Sequence, residues 1–124
     1  MEKAWPAGYE RESRLRISTV GRRTGRRHDV WIWFAVNREG RLLISTQDRR
    51  RDWVKNALKA GAVDVAIGSV MRSMLIIPLE DQAEIQEVND LYAKKYLLGR
   101  IGQLFAPFTR KRFSHSGAFE LKPL

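Results

Sequence analysis

The chain has no cysteine. That absence excludes a disulfide framework, a thiolate metal site and a cysteine nucleophile, and it fits a reducing compartment. Histidine is almost as scarce: only His28 and His115 occur, far apart in sequence, so no histidine-based metal site is expected. No apolar run approaches the ~18 residues needed to cross a membrane. Residues 1–14 are polar and charged, without the apolar core of a signal peptide. The reading is a cytoplasmic protein with no membrane partner. Internal repeats and low-complexity tracts are missing as well. No serine stands with a histidine and an acid at a recognisable catalytic spacing. Asp64, Asp81 and Glu84 read as surface or capping acids, not as an acid–base pair. No catalytic residue is assigned, so if the protein is an enzyme, a cofactor carries the chemistry.

Acidic residues are also in deficit. Fourteen face 23 basic ones, which leaves a net charge of +9. Sixteen of the basic residues are arginine, whose planar fork makes two-pronged contacts to phosphate and carboxylate that a lysine point charge does not. Such a balance fits nucleic acid, an anionic membrane surface or a phosphorylated small molecule. At 124 residues, 44% of them hydrophobic, the chain suits one domain with its own core, residues 1–13 forming an N-terminal arm.

Hydrophobic periodicity divides the rest. Leu15, Ile17 and Thr19 alternate with Arg14, Arg16 and Ser18, a strand that ends at Gly21. Two glycines and four arginines in residues 21–27 mark a turn. A second strand spans residues 28–36, with Val30, Ile32, Phe34 and Val36 on one face and Trp31, Trp33 and Ala35 on the other. Both faces are apolar, so it should be covered on both sides, the second by a cofactor, a helix or another subunit. A hairpin turn at residues 37–40 leads to a third strand at 41–46. Asp52 is the expected cap of a helix over residues 53–60 that turns Trp53, Val54, Ala57 and Leu58 inward and stops at Gly61. Strands follow at 62–67 and 70–79. Asp81 and Glu84 open a second helix, on which Ile85, Val88, Leu91, Tyr92 and Tyr96 recur at helical spacing until near Gly99. A further helical turn within residues 101–108 and a last strand over 113–121 complete the chain. Hairpin-linked pairs favour an antiparallel sheet, and about six strands in a small domain tend to close into a barrel and remove their edges.

Two basic segments carry the candidate chemistry. In residues 19–28, Gly21 and Gly25 let the backbone approach a ligand, Thr19 and Thr24 offer hydroxyls, and about two of Arg22, Arg23, Arg26 and Arg27 can face one way. This is not a P-loop, because it lacks the lysine–hydroxyl ending and no helix follows. In residues 45–53, Ser45, Thr46 and the arginines 49, 50 and 51 run into a helix N-terminus, a natural phosphate seat. Trp31, Trp33 and Trp53 are candidates for a flat wall beside an aromatic ring system, or for core and interface packing. Arg72 could reach the same ligand, whereas Tyr92 and Tyr96 read as core or interface residues.

The run Ile17-Ser18-Thr19-Val20-Gly21-Arg22-Arg23-Thr24-Gly25-Arg26-Arg27-His28 resembles the deazaflavin-dependent nitroreductase family, which opens with a strand, a T-x-G-basic-basic-S/T-G turn and a second strand. Residues 43–58 are similar too: a strand, a polar loop, then a helix with a tryptophan and an asparagine, here Trp53 and Asn56. The resemblance implies a split β-barrel of the FMN-binding, pyridoxamine-phosphate-oxidase-like type. It implies a phosphorylated deazaflavin (F-420) or FMN, and hydride transfer to a small nitroaromatic- or quinone-like acceptor. Carried over, Arg23 sits on the cofactor phosphate or acidic tail, with Thr24 and Gly25 beside it and Trp33 near the ring. His28 stands where the family commonly has arginine and Trp31 where it commonly has proline. The loop after Ser45 is shorter than the family's and lacks its glycine pair, with Arg49, Arg50 and Arg51 in that place. The cofactor-binding set is thus Thr19, Gly21, Arg23, Thr24, Gly25, His28, Trp31, Trp33, Ser45, Arg49, Arg50 and Trp53, on a homodimer. Two other readings compete: a basic nucleic-acid-binding barrel, and a dimeric barrel without a ligand.

Overall fold

A computed structural model describes residues 5–97 and 117–124. The described strands are β1 (Leu15–Val20), β2 (Arg27–Ile32), β3 (Ala35–Val36), β4 (Leu42–Thr46), β5 (Ala62–Ile67), β6 (Val70–Pro78) and β7 (Gly117–Pro123), with helices α1 (Asp52–Ala60) and α2 (Gln82–Leu97). They form one sheet in the order β2-β1-β5-β6-β7-β4-β3, antiparallel at every pairing. The β7 strand reaches far back in sequence to pair β4. The expected helical turn in residues 101–108 and the start of the last strand at 113–116 lie outside the described residues.

Period-two burial curls the sheet around one core. Leu15, Ile17, Ile44, Val65, Phe119 and Leu121 point inward and meet Trp53, Val54 and Ala57 of α1, so this helix fills the concave side. Helix α2 covers the opposite face only at the β3-β4-β7 end, where Val88, Tyr92 and Tyr96 pack on Ala35, Leu43 and Ala118. At this end Arg41 bridges Glu84 of α2 and the buried Glu120 of β7, each at 2.8 Å.

The strand expected over 28–36 is two strands, giving seven in place of about six. The break at Trp33–Phe34 has a local cause in α2. The Tyr92 hydroxyl donates to the Trp33 carbonyl at 2.6 Å. The Phe34 N–H donates to the Tyr96 hydroxyl at 3.1 Å, and Lys95 Nζ donates to the Phe34 carbonyl at 2.9 Å. Side chains on one helix face thus satisfy backbone groups that a continuous ladder would otherwise use.

Three local expectations need correction. Arg51, not Asp52, is the N-cap of α1, and no side chain caps it; Asp52 already has helical geometry. On the same helix Leu58 is exposed, and Asn56 takes the buried position. The apolar second face expected over residues 28–36 is not covered throughout. Ala35 lies under α2, but Trp31 is 56% exposed, with the Arg14 guanidinium 5.0 Å from its ring.

Candidate functional site

The β1–β2 connection is closed by the Gly21 N–H donating to the Arg26 carbonyl at 2.7 Å and the Gly25 N–H donating to Gly21 at 2.9 Å. The Thr24 hydroxyl accepts from the Arg26 N–H at 3.2 Å. A Cβ on Gly21 would stand 2.6 Å from that hydroxyl and would displace it from its bond, and Gly25 has φ 72°, a left-handed backbone that calls for glycine.

This turn lies against the N-terminus of α1. Between them runs an open groove of about 580 Å³, lined by Gly21, Arg22, Arg23, Thr24, His28, Asp29 and Val30 on one side and Arg51, Asp52, Trp53 and Asn56 on the other. Its volume falls within the roughly 300–1,000 Å³ of small-molecule sites, although it is open to solvent. Arg22 donates to Asn56 Oδ1 from its main chain at 3.2 Å and from its guanidinium at 2.8 Å, and it lies 3.6 Å from Asp52. Arg27 turns to the outer face, where it meets Asp29 and Ser18. Two of the four turn arginines, Arg22 and Arg23, therefore line the groove. Its charge is mixed, since the exposed carboxylate of Asp52 borders it; on the outer face the Ser18 hydroxyl, donating at 2.6 Å, with help from Arg27, holds the Asp29 carboxyl below the usual carboxylate range.

Of the predicted cofactor-binding set, Gly21, Arg23, Thr24, His28 and Trp53 line the groove. Trp53 is only 6% exposed and presents little of its ring. The others are not brought to it. Thr19 is buried, its hydroxyl without a partner among the described residues. Gly25 shapes the turn from its far side, its Cβ position open to space. Trp31 is on the outer face. Trp33 stacks on Tyr96 with centroids 4.2 Å apart. The Ser45 N–H donates to the Tyr92 hydroxyl, Arg49 lies against Gly117, and Arg50 pairs with Asp48 at 2.9 Å. Arg72 sits over the Trp5 ring. Arg51 belonged to the second basic segment read as a phosphate seat, whereas Asn56 was not among the candidate ligands. The signal for Asn56 was a polar residue three positions after Trp53, on the helix stripe that faces the core.

A curled antiparallel sheet with one helix inside and one outside defines the class: a split β-barrel of the pyridoxamine-phosphate-oxidase type. Solved structures of that class superpose on most of the chain. The heme storage protein HutZ from Vibrio cholerae matches with TM-score 0.68 and 15% identity over 94% of this chain and 85% of its own. A Listeria innocua protein assigned as a pyridoxamine 5'-phosphate oxidase gives 0.66 and 13% over 93% and 86%. An F420-H2-dependent reductase, FDR-A, gives 0.63 and 16% over 89% and 94%. These likenesses establish the fold, and they are consistent with the split-barrel family that the turn sequence resembles. No protein-family model matches the chain, and no curated protein sequence matches it.

Proposed function

We propose that the groove between the β1–β2 turn and α1 seats the phosphate of FMN or of the deazaflavin F-420, and that the protein is an oxidoreductase. The observation that carries this reading is the convergence of Arg23, Thr24 and His28 with Arg51 at an uncapped helix N-terminus. Guanidinium forks and a helix N-terminus are the donors that suit a phosphate. The phosphate end of either cofactor fits these residues, and Val30 with the edge of Trp53 offers the apolar lining for what lies beyond it. When bound, the cofactor supplies hydride transfer to a small organic acceptor of nitroaromatic or quinone-like type. The chain's part is to bind and orient it, since no catalytic residue of its own is assigned.

The outer face supports the homodimer reading. Trp31, Arg16, Ala66 and Met71 form one cross-strand row on β2, β1, β5 and β6. Trp31 and Met71 are exposed, as is Leu75 on β6. Exposed apolar side chains grouped on one face suit an association surface, and we place self-association here.

Titration of the purified protein with FMN and with F-420, followed by absorbance and fluorescence, tests the reading. One cofactor should bind, and Arg23→Ala should weaken it by about 1.5–3 kcal/mol, the range of a hydrogen bond to a charged group. Steep salt-dependent binding of DNA or RNA, with neither cofactor taken up, would favour the nucleic-acid alternative.

A further inference from the structure

Two segments of chain share the groove, and one side chain joins them. Asn56 and Arg22 are 34 positions apart. Asn56 lies on the core-facing stripe of α1, beside Trp53 and Ala57, and is 4% exposed. A buried amide there is costly unless its polar atoms are satisfied. Its Oδ1 accepts both the Arg22 main-chain N–H and the Arg22 guanidinium. The first bond fixes the turn's backbone, and the second draws the guanidinium down onto the helix, where it is 21% exposed. Arg22 is thereby committed to protein partners. No ion pair among the described residues engages Arg23 or Arg51, and both line the groove.

We propose that Asn56 is the positioning residue of the groove: through Arg22, which serves as a strut, it holds the β1–β2 turn on α1 so that Arg23 and Arg51 meet the anion. The division of labour among the arginines rests on the groove being a phosphate seat; the strut itself does not. An apolar residue at this position would pack the core without linking the two segments. A strut also differs from a ligand in a measurable way, because removing Arg22 should matter only while Asn56 is there to hold it.

A double-mutant cycle with FMN and with F-420 as probes reads this difference. Asn56→Leu should weaken binding roughly ten-fold, the equivalent of one charged hydrogen bond. Arg22→Met should weaken it by a similar or smaller factor, and the double variant should bind no more weakly than Asn56→Leu alone. Multiplying losses would make Arg22 a direct ligand and overturn the assignment. Amide hydrogen exchange gives a second readout that needs no cofactor. The Arg22 amide should be protected in the wild type and in Asn56→Asp, which keeps the acceptor. It should exchange at least about ten-fold faster in Asn56→Leu, while β5 and β6 amides keep their protection. An unchanged Arg22 amide in Asn56→Leu would also overturn it. If neither probe binds the wild type, the phosphate reading fails, and the strut stands or falls on the exchange data.

Discussion

Asp52 occupies the first position of α1, 3.6 Å from Arg22, with its side chain 87% exposed. A carboxylate in a first helical turn stabilises the helix by about 0.3–1 kcal/mol, yet here it also borders a groove read as an anion seat. Asp52→Asn should therefore act in opposite directions. It should lower the thermal midpoint slightly and tighten FMN or F-420 binding by about two- to five-fold, as expected for removing one exposed like charge. Melting and titration of the same variant check this; movement of both quantities in one direction would argue against Asp52 facing the guest. The turn glycines were legible in the sequence, because close approach and left-handed backbone leave few residue choices. The partners of the arginines were not. Whether Arg22, Arg27 or Arg50 meets a ligand or a nearby side chain depends on Asn56, Asp29 and Asp48, and periodicity does not report those contacts.

Among the elements, α2 does the most that the strand pattern did not show. Tyr92, Lys95 and Tyr96 lie on one face of it at three- and four-residue spacing, and together they take over the backbone groups of Trp33 and Phe34. A polar hydroxyl on an apolar helix stripe was visible; that it would interrupt a strand 59 residues earlier was not. The cluster carries a pH signature. Burial lowers Lys95 from 10.5 to about 8, against the opposing pull of Glu10 and Glu12. The unfolded chain then binds more protons than the folded one from about pH 8 upward, so this group makes stability rise with pH. Burial pushes Tyr96 up from 10.0 to about 12 and raises Tyr92 as well. Those hydroxyls keep protons that the unfolded chain loses, so their contribution falls away above about pH 10. The thermal midpoint should climb between pH 8 and 10 and then drop. Lys95→Met should remove the climb and leave the drop, and a climb that survives the substitution would place its origin elsewhere.

For the whole molecule, alternation and hairpin signals were enough to read an antiparallel barrel, because inward residues of β1, β4 and β7 repeat every second position. Which faces stay open was harder to see. The second strand read as covered on both sides, but α2 shields only the β3-β4-β7 end, and Trp31 and Met71 remain in solvent. If that face joins two copies, Met71→Glu should shift sedimentation toward the monomer, while Leu58→Glu, exposed on α1, should not. Equal effects would remove the face from consideration. The central claim is that residues distant in sequence meet one anionic guest in a single groove. Amide chemical shifts followed during an FMN or F-420 titration test it most directly. Residues 22–25 and 51–54 should move together on one saturable isotherm, with the same apparent Kd. Saturation with shifts in only one of the two segments, or with shifts confined to the outer face around Trp31, would contradict it.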